Sequence, residues 1–227
     1  MPRLTVAVVP ARAGSKGFPK KNFAEIGDVP LYLLAVRQAS RTCDLTILTT
    51  DIEERTLSTL PKDTVVHRRS AINSTDHAPM SSVLEEVIKA FRLNDVDIVL
   101  LQPTSPLRID ADIKDSIDVF ASMEFDIVMS VNETSNTILK CGTLSDGYFS
   151  AIRANSDCFQ NRQVLPKVYK PNGAVYVFNS SWFKSNHYSL NAGKIGASIM
   201  PRERSLDIDT ENDYKNILGN IAAKVEK

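Results

Sequence analysis

Four cations fall within ten residues near the start of the chain: Arg12, Lys16, Lys20 and Lys21, in the stretch PARAGSKGFPKKN that ends at Asn22. Gly14 and Gly17 lie among them and let backbone approach a ligand closely, so the loop suits a polyanion such as a nucleoside triphosphate. A solvated basic loop would look the same at this level. The spacing matches neither GxxxxGK followed by Ser or Thr nor GxGxxG, which disfavours kinase-like and NAD-dependent chemistry. Near the other end, SLDIDTEND (205–213) sets Asp207 and Asp209 two residues apart. On extended backbone both carboxylates face the same way, and two hard oxygen donors can hold Mg²⁺ through carboxylate and water. Alternatively, Asp209 caps the helix that follows.

Three other segments carry polar groups with chemical potential. LLQPTSPLR (100–108) offers Gln102, Thr104, Ser105 and Arg108 around two prolines that hold a loop rigid; it also reads as a plain strand-to-helix connection. NRQVLPKVYKPNGAVYVF (161–178) brings Arg162, Lys167 and Lys170 ahead of Asn172-Gly173, a turn signal with cations able to meet a carboxylate or phosphate. VVHRRS (65–70) places Arg68 and Arg69 directly after a short apolar run. The three histidines, His67, His77 and His187, form no ligand pattern and read as structural. No GxSxG elbow occurs, which argues against hydrolase chemistry.

The elements that must position these groups alternate in type. Apolar runs at 4–9, 45–49, 65–67, 97–101 and 126–131 predict strands. Residues 30–41, 79–93 and 110–123 predict helices, so βαβ units and a mostly parallel sheet follow. Loops at the carboxyl ends of such strands are where open α/β sheets bind ligands. From 132 to 170 the rhythm breaks into an excursion with a hairpin turn at Ser145-Asp146-Gly147, the form of a flap, lid or subunit contact. Strands at 174–178 and 194–200 and a helix at 210–225 complete one domain over 1–227.

Twenty-seven basic residues balance 27 acidic ones, with 43% hydrophobic and 24% charged residues, an ordinary composition for a soluble globular protein. Net charge near zero disfavours non-specific nucleic-acid or membrane-surface binding. Cys43, Cys141 and Cys158 are far apart and odd in number, so neither a disulfide framework nor a zinc site is expected. No signal peptide and no membrane-spanning run is read, and the expected compartment is the cytoplasm.

Together, PARAGSKGFPKKN, TTD (49–51), RRS (68–70), LQPTSPLR, RQVLP, KPNGAVY and SLDIDTEND resemble, in order and with similar separations, the acylneuraminate cytidylyltransferases, or CMP-sialic acid synthetases. The resemblance runs from Val6 to about Tyr214. It implies an α/β fold of the nucleotide-diphospho-sugar transferase type, a Rossmann-like sheet with a dimerisation element. It further implies transfer of CMP from CTP to N-acetylneuraminate or a related nonulosonic acid, with Mg²⁺ and release of pyrophosphate. By the same resemblance Arg12, Ser15, Lys16, Lys21, Asn22, Arg69 and Ser82 would bind the nucleotide. Gln102, Ser105, Asn172 and Tyr176 would bind the sugar acid. Lys140 and Arg162 would reach into the neighbouring site of a homodimer. Asp207 and Asp209 would hold the metal, with Asp209, Arg12 and Lys21 taking the catalytic roles.

Two departures concern the substrate. Where some members carry paired phenylalanines, this chain reads His187-Tyr188-Ser189-Leu190-Asn191, and Pro79-Met80 precedes Ser81-Ser82 where small hydroxyl residues are usual. Legionaminic acid and the eight-carbon acid Kdo are the alternative substrates, although the opening loop lacks the GKP-type triplet of Kdo enzymes. A nucleotide-binding protein without turnover is the reading from another class.

Overall fold

The computed structural model describes residues 3–14, 17–122, 124–191 and 193–225. Its centre is the apolar run expected to be a buried strand. β1 (Thr5–Pro10) lies between two parallel neighbours, β4 (Leu45–Thr50) and β6 (Asp97–Leu101). Successive side chains of β1 enter opposite cores. Ala7 and Val9 join Leu48 and Val99 under α1 (Leu31–Thr42) and α3 (Asp110–Ser122). Val6 and Val8 join Ile47 and Ile98 under α2 (Met80–Ala90) and α4 (Ser180–Ser185). A strand covered on both faces needs no polar positions, which explains its unbroken apolar sequence.

Seven strands form the sheet, in the order β11 (Ile195–Ile199), β7 (Ile127–Thr134), β10 (Val168–Asn179), β6, β1, β4 and β5 (Thr64–Arg68). All neighbours run parallel except β10, which is antiparallel to both β6 and β7. A short ribbon, β2 (Glu25–Ile26) with β3 (Val29–Pro30), follows the opening loop, and α5 (Glu211–Val225) closes the described chain. Between β7 and β10 the excursion holds the expected hairpin, β8 (Gly142–Ser145) and β9 (Tyr148–Ala151), with Asp146 and Gly147 both at positive φ as a tight two-residue turn requires.

The Asn172-Gly173 pair does not make the expected turn. It lies inside β10, where the register with β7 shifts between Pro171 and Tyr176 and Gly173 takes φ +77°. This is a bulge, and its backbone groups have replacement partners. Asn172 Oδ1 accepts from Ala174 N at 3.1 Å, Ser130 Oγ accepts from Val175 N at 2.8 Å, and Arg108 Nη1 donates to Ala174 O at 2.6 Å. The two flanking stretches of strand turn the Asn-Gly signal into a kink within one strand.

Arg108 is a bracket of the fold. It is 2% exposed, donates to Gln102 O at 3.2 Å and pairs with Gln38 Oε1 of α1 at 3.0 Å, while burial pushes its pKa down to about 10. Replacing it strands several buried acceptors. Arg108→Leu is expected to cost about 2–4 kcal/mol of stability and to lower the thermal midpoint by roughly 5–15 °C. An unchanged midpoint in calorimetry would remove the bracket role.

Candidate functional site

At the carboxyl ends of β1 and β6 the loops enclose a cleft of about 290 Å³. The opening loop is built from both flanks. Asp51, after β4, accepts from Ala13 N at 2.8 Å, and Asn22 donates to Arg12 O at 3.0 Å. Lys20 adopts φ 55° and starts a short 3₁₀ turn over Lys21–Phe23. Gly17 comes close to the acidic segment: a Cβ there would stand 3.2 Å from the carbonyl oxygen of Asp209, a tight contact. The two ends of the chain meet at this contact.

The acidic segment keeps the predicted alternation. Ile208 is buried with Leu31 and Ile217, and its N–H donates to Thr104 O at 2.9 Å. Asp207 and Asp209 therefore both line the cleft. Asp209 does not cap α5. Thr210 and Asp213 do so reciprocally, Thr210 Oγ1 accepting from Asp213 N at 3.2 Å and Asp213 accepting from Thr210 N at 2.8 Å. The Asp209 carboxylate instead lies 3.1 Å from Lys21 Nζ.

Among the described residues, Arg12, Lys21 and Arg69 line the same cleft as these two carboxylates. Arg12 is held by Asp76 at 2.6 Å. Arg69 is 7% exposed; its Nε donates to Thr49 Oγ1 at 3.2 Å, while its buried Nη2 has no hydrogen-bond partner among the described residues. Burial first, with Asp51's attraction set against Arg12's charge, brings its pKa down to about 10, so it remains charged at neutral pH. A charged guanidinium fixed in a cleft wall suits anionic oxygen. On the opposite side, burial in the cleft and then the charge of Asp209 hold the Asp207 pKa above the ordinary carboxylate value, against a hydrogen bond from Thr104.

Seven of the sequence-predicted residues line this one cleft: Arg12, Lys21, Asn22, Arg69, Gln102, Asp207 and Asp209. Ser15 and Lys16 lie outside the described residues. Tyr176 stands close enough to Asp207 for that charge, after burial, to raise its phenol pKa. Three others sit elsewhere. Ser82 hydrogen-bonds to Asn73 at 2.7 Å and faces an adjacent cavity. Ser105 is buried at 1% exposure with an unpartnered hydroxyl. Asn172 points inward to Ser205 at 3.0 Å and fastens the bulge. Lys140 and Arg162 belong to the excursion, away from the cleft of their own chain, Arg162 lining two separate cavities there. Sequence reading missed Met80 and Gly173 as lining residues and Thr49 as a partner of Arg69. Gly173 carried a signal, since Asn-Gly beside cations could have marked close backbone approach.

The two carboxylates fit a hard divalent cation. Among the described residues no group of three or more His, Cys, Asp or Glu side chains could hold a metal. A pair suffices for Mg²⁺, which takes one or two carboxylates and completes its shell with water and phosphate oxygen. Among the described residues no helix is long and apolar enough to cross a membrane.

A family model described as cytidylyltransferase matches residues 6–185. The N-acylneuraminate cytidylyltransferase of Streptococcus agalactiae is 30% identical over 221 residues, covering 95% of this chain and 53% of the relative. The chain thus spans about half the length of that relative. The CMP-N,N'-diacetyllegionaminic acid synthase of Legionella pneumophila is 25% identical, covering 92% of each chain. Among solved structures, CMP:2-keto-3-deoxy-manno-octonic acid synthetase complexed with CTP shares the fold, with TM-score 0.71, 16% identity, and 97% and 99% of the two chains covered.

The raised Asp207 pKa fixes a sign. Its unfolded pKa is the lower one, so the ionised folded state carries a cost at neutral pH that disappears as pH falls through the folded pKa. Asp207→Asn is expected to raise the thermal midpoint of the metal-free protein at pH 7, with the gain shrinking on acidification. A midpoint lowered at pH 7, or a gain independent of pH, would contradict this assignment.

Proposed function

Because this chain belongs to the cytidylyltransferase family, we propose that it transfers CMP from CTP to the anomeric hydroxyl of a sialic-type nonulosonic acid and releases pyrophosphate. The observation that supports the reading is the gathering of Arg12, Lys21, Arg69, Asp207 and Asp209 around one cleft. Two relatives bear names of enzymes that make CMP-activated nine-carbon acids, which supports the substrate class.

The hydroxyl oxygen forms a bond to the α-phosphorus as the bond from that phosphorus to the bridging oxygen breaks, and the electron pair departs with pyrophosphate. Such a transfer needs in-line positioning and neutralisation of spreading negative charge, with no covalent nucleophile. Arg12 and Lys21 supply fixed positive charge to the triphosphate, and the guanidinium of Arg69 in the cleft wall adds to it. Phosphate oxygens would compete with Asp76 for Arg12 and with Asp209 for Lys21, exchanging one anionic partner for another. Asp209 is then the carboxylate that takes the hydroxyl proton. Mg²⁺, when bound, would lower the charge on the phosphates, and Asp207 and Asp209 would hold it. Gln102 would hydrogen-bond the sugar acid. Lys140 and Arg162 would meet its carboxylate from the partner subunit of a homodimer, and the cytoplasm would be the site of the reaction.

Pyrophosphate release with CTP, Mg²⁺ and a panel of N-acetylneuraminate, legionaminic acid, pseudaminic acid and Kdo tests the reading. Release with a nonulosonate is expected, and its absence with all of them would overturn it. Asp209→Asn should abolish turnover with the fold retained, while Arg12→Ala should chiefly weaken CTP binding, by about 10- to 100-fold for one charge-assisted contact. Near wild-type turnover in Asp209→Asn would end the assignment of that carboxylate.

A further inference from the structure

One buried group near the cleft has no part in the chemistry above, although it contacts a residue that holds Arg69. His67, on β5, is 8% exposed and lies opposite Thr49 in the parallel pairing with β4. Its Nδ1 is 3.0 Å from Thr49 Oγ1, the same oxygen that Arg69 Nε approaches at 3.2 Å. A guanidinium nitrogen can only donate, so Thr49 accepts from Arg69. A hydroxyl oxygen can accept twice, so the ring sets the sense of the second bond: with the imidazole hydrogen on Nε2, the nitrogen that faces the Glu86 carboxylate at 3.9 Å, Nδ1 accepts the Thr49 hydroxyl hydrogen. In that tautomer the three groups form a directed chain: Arg69 Nε–H to Thr49, Thr49 O–H to His67. With Nε tied down in this way, the Arg69 guanidinium is held at the wall of the cleft.

We propose that His67 is a positioning residue for the nucleotide: acting through Thr49, it fixes the direction of the Arg69 guanidinium and does so only while its imidazole is neutral. The proposal rests on the reading of the cleft as a CTP site. Two charged groups face the ring. Arg69 lies beyond the end of β5, and Glu86 on α2 stands 3.9 Å from Nε2, with its carboxylate already accepting from Ser70 N at 2.7 Å and from Asn73. Phe91 packs against the ring at 5.9 Å between centroids. Burial, opposed by Glu86 and helped by Arg69, keeps the ring below the usual histidine pKa and so neutral near pH 7. Protonation would turn Nδ1 into a donor, remove the acceptor for Thr49 and place a second cation beside Arg69.

The test follows CTP affinity by titration calorimetry with Mg²⁺, and the KM for CTP in pyrophosphate release, on the whole chain between about pH 5.5 and 8, the range in which an imidazole titrates. His67→Phe keeps ring packing but removes the acceptor, and is expected to raise the KM for CTP about 3- to 10-fold with kcat little changed, the scale of one neutral hydrogen bond. His67→Asn offers an amide oxygen near the place of Nδ1 and should restore most of the lost affinity. Affinity in the wild type should fall on acidification more steeply than in His67→Asn; protonation of CTP itself affects both alike, so their difference reports the histidine. Thr49→Val should match His67→Phe, and Thr49→Ser should rescue it. A folded His67→Phe protein with wild-type KM, or a His67→Asn protein as impaired as His67→Phe, overturns the inference. Failure of the wild type to bind CTP overturns the functional reading and this inference with it.

Discussion

The site depends on one buried side chain, Ile208. It sits between two acids and would gain nothing from solvent, so the core contact with Leu31 and Ile217 pulls the segment 206–209 against the sheet's carboxyl edge. The backbone bond from Ile208 N to Thr104 O sets its register against the loop after β6. With Ile208 inward, the pleat sends Asp207 and Asp209 outward together. This brings a carboxylate within 3.1 Å of Lys21, a residue 188 positions away in the chain. A shift of one residue would bury the acids and expose the isoleucine, which is prohibitive on both counts.

Around that contact the loops are held by buried polar groups. Arg108 ties α1, the loop after β6 and the bulge of β10 into one unit, and Asn172 with Ser130 satisfies backbone groups that the bulge removes from the ladder. These groups look like binding residues in a list of motifs because they are polar and surround the cleft. Their physical role is to make the cleft wall rigid. Preorganised walls matter for phosphoryl transfer, where the protein contributes placement and fixed charge more than covalent chemistry.

Charge in the cleft is balanced internally. Arg12 is matched by Asp76 and Lys21 by Asp209, so two of the three cations are held in place by anions that phosphate oxygen can replace. Arg69 differs. It hydrogen-bonds to a neutral hydroxyl and forms no ion pair among the described residues, although Asp51 attracts its charge from a distance. Burial lowers its pKa but leaves it cationic, so the guanidinium keeps positive charge in a setting where water screens it weakly.

The alternation of strands and helices, the buried central strand, the hairpin at Asp146-Gly147, the basic opening loop and the shared face of Asp207 and Asp209 are all legible in the amino-acid order. Each follows from a local rule: period-two alternation, turn residues with positive φ, or an unbroken apolar run. Long-range packing, by contrast, makes β10 antiparallel and absorbs Asn172-Gly173 as a bulge. It also selects Thr210 and Asp213, not Asp209, to cap α5, and gives Ser82 and Asn172 partners outside the cleft while burying Ser105. Those outcomes depend on which distant group reaches a polar atom first. Arg108 belongs with them: in sequence it is one more cation after a proline, and the convergence of Gln38 from α1 and the Ala174 carbonyl from β10 on its guanidinium makes it an internal strut. Composition and spacing name the groups that can do chemistry; the competition among buried partners selects which ones remain free to do it.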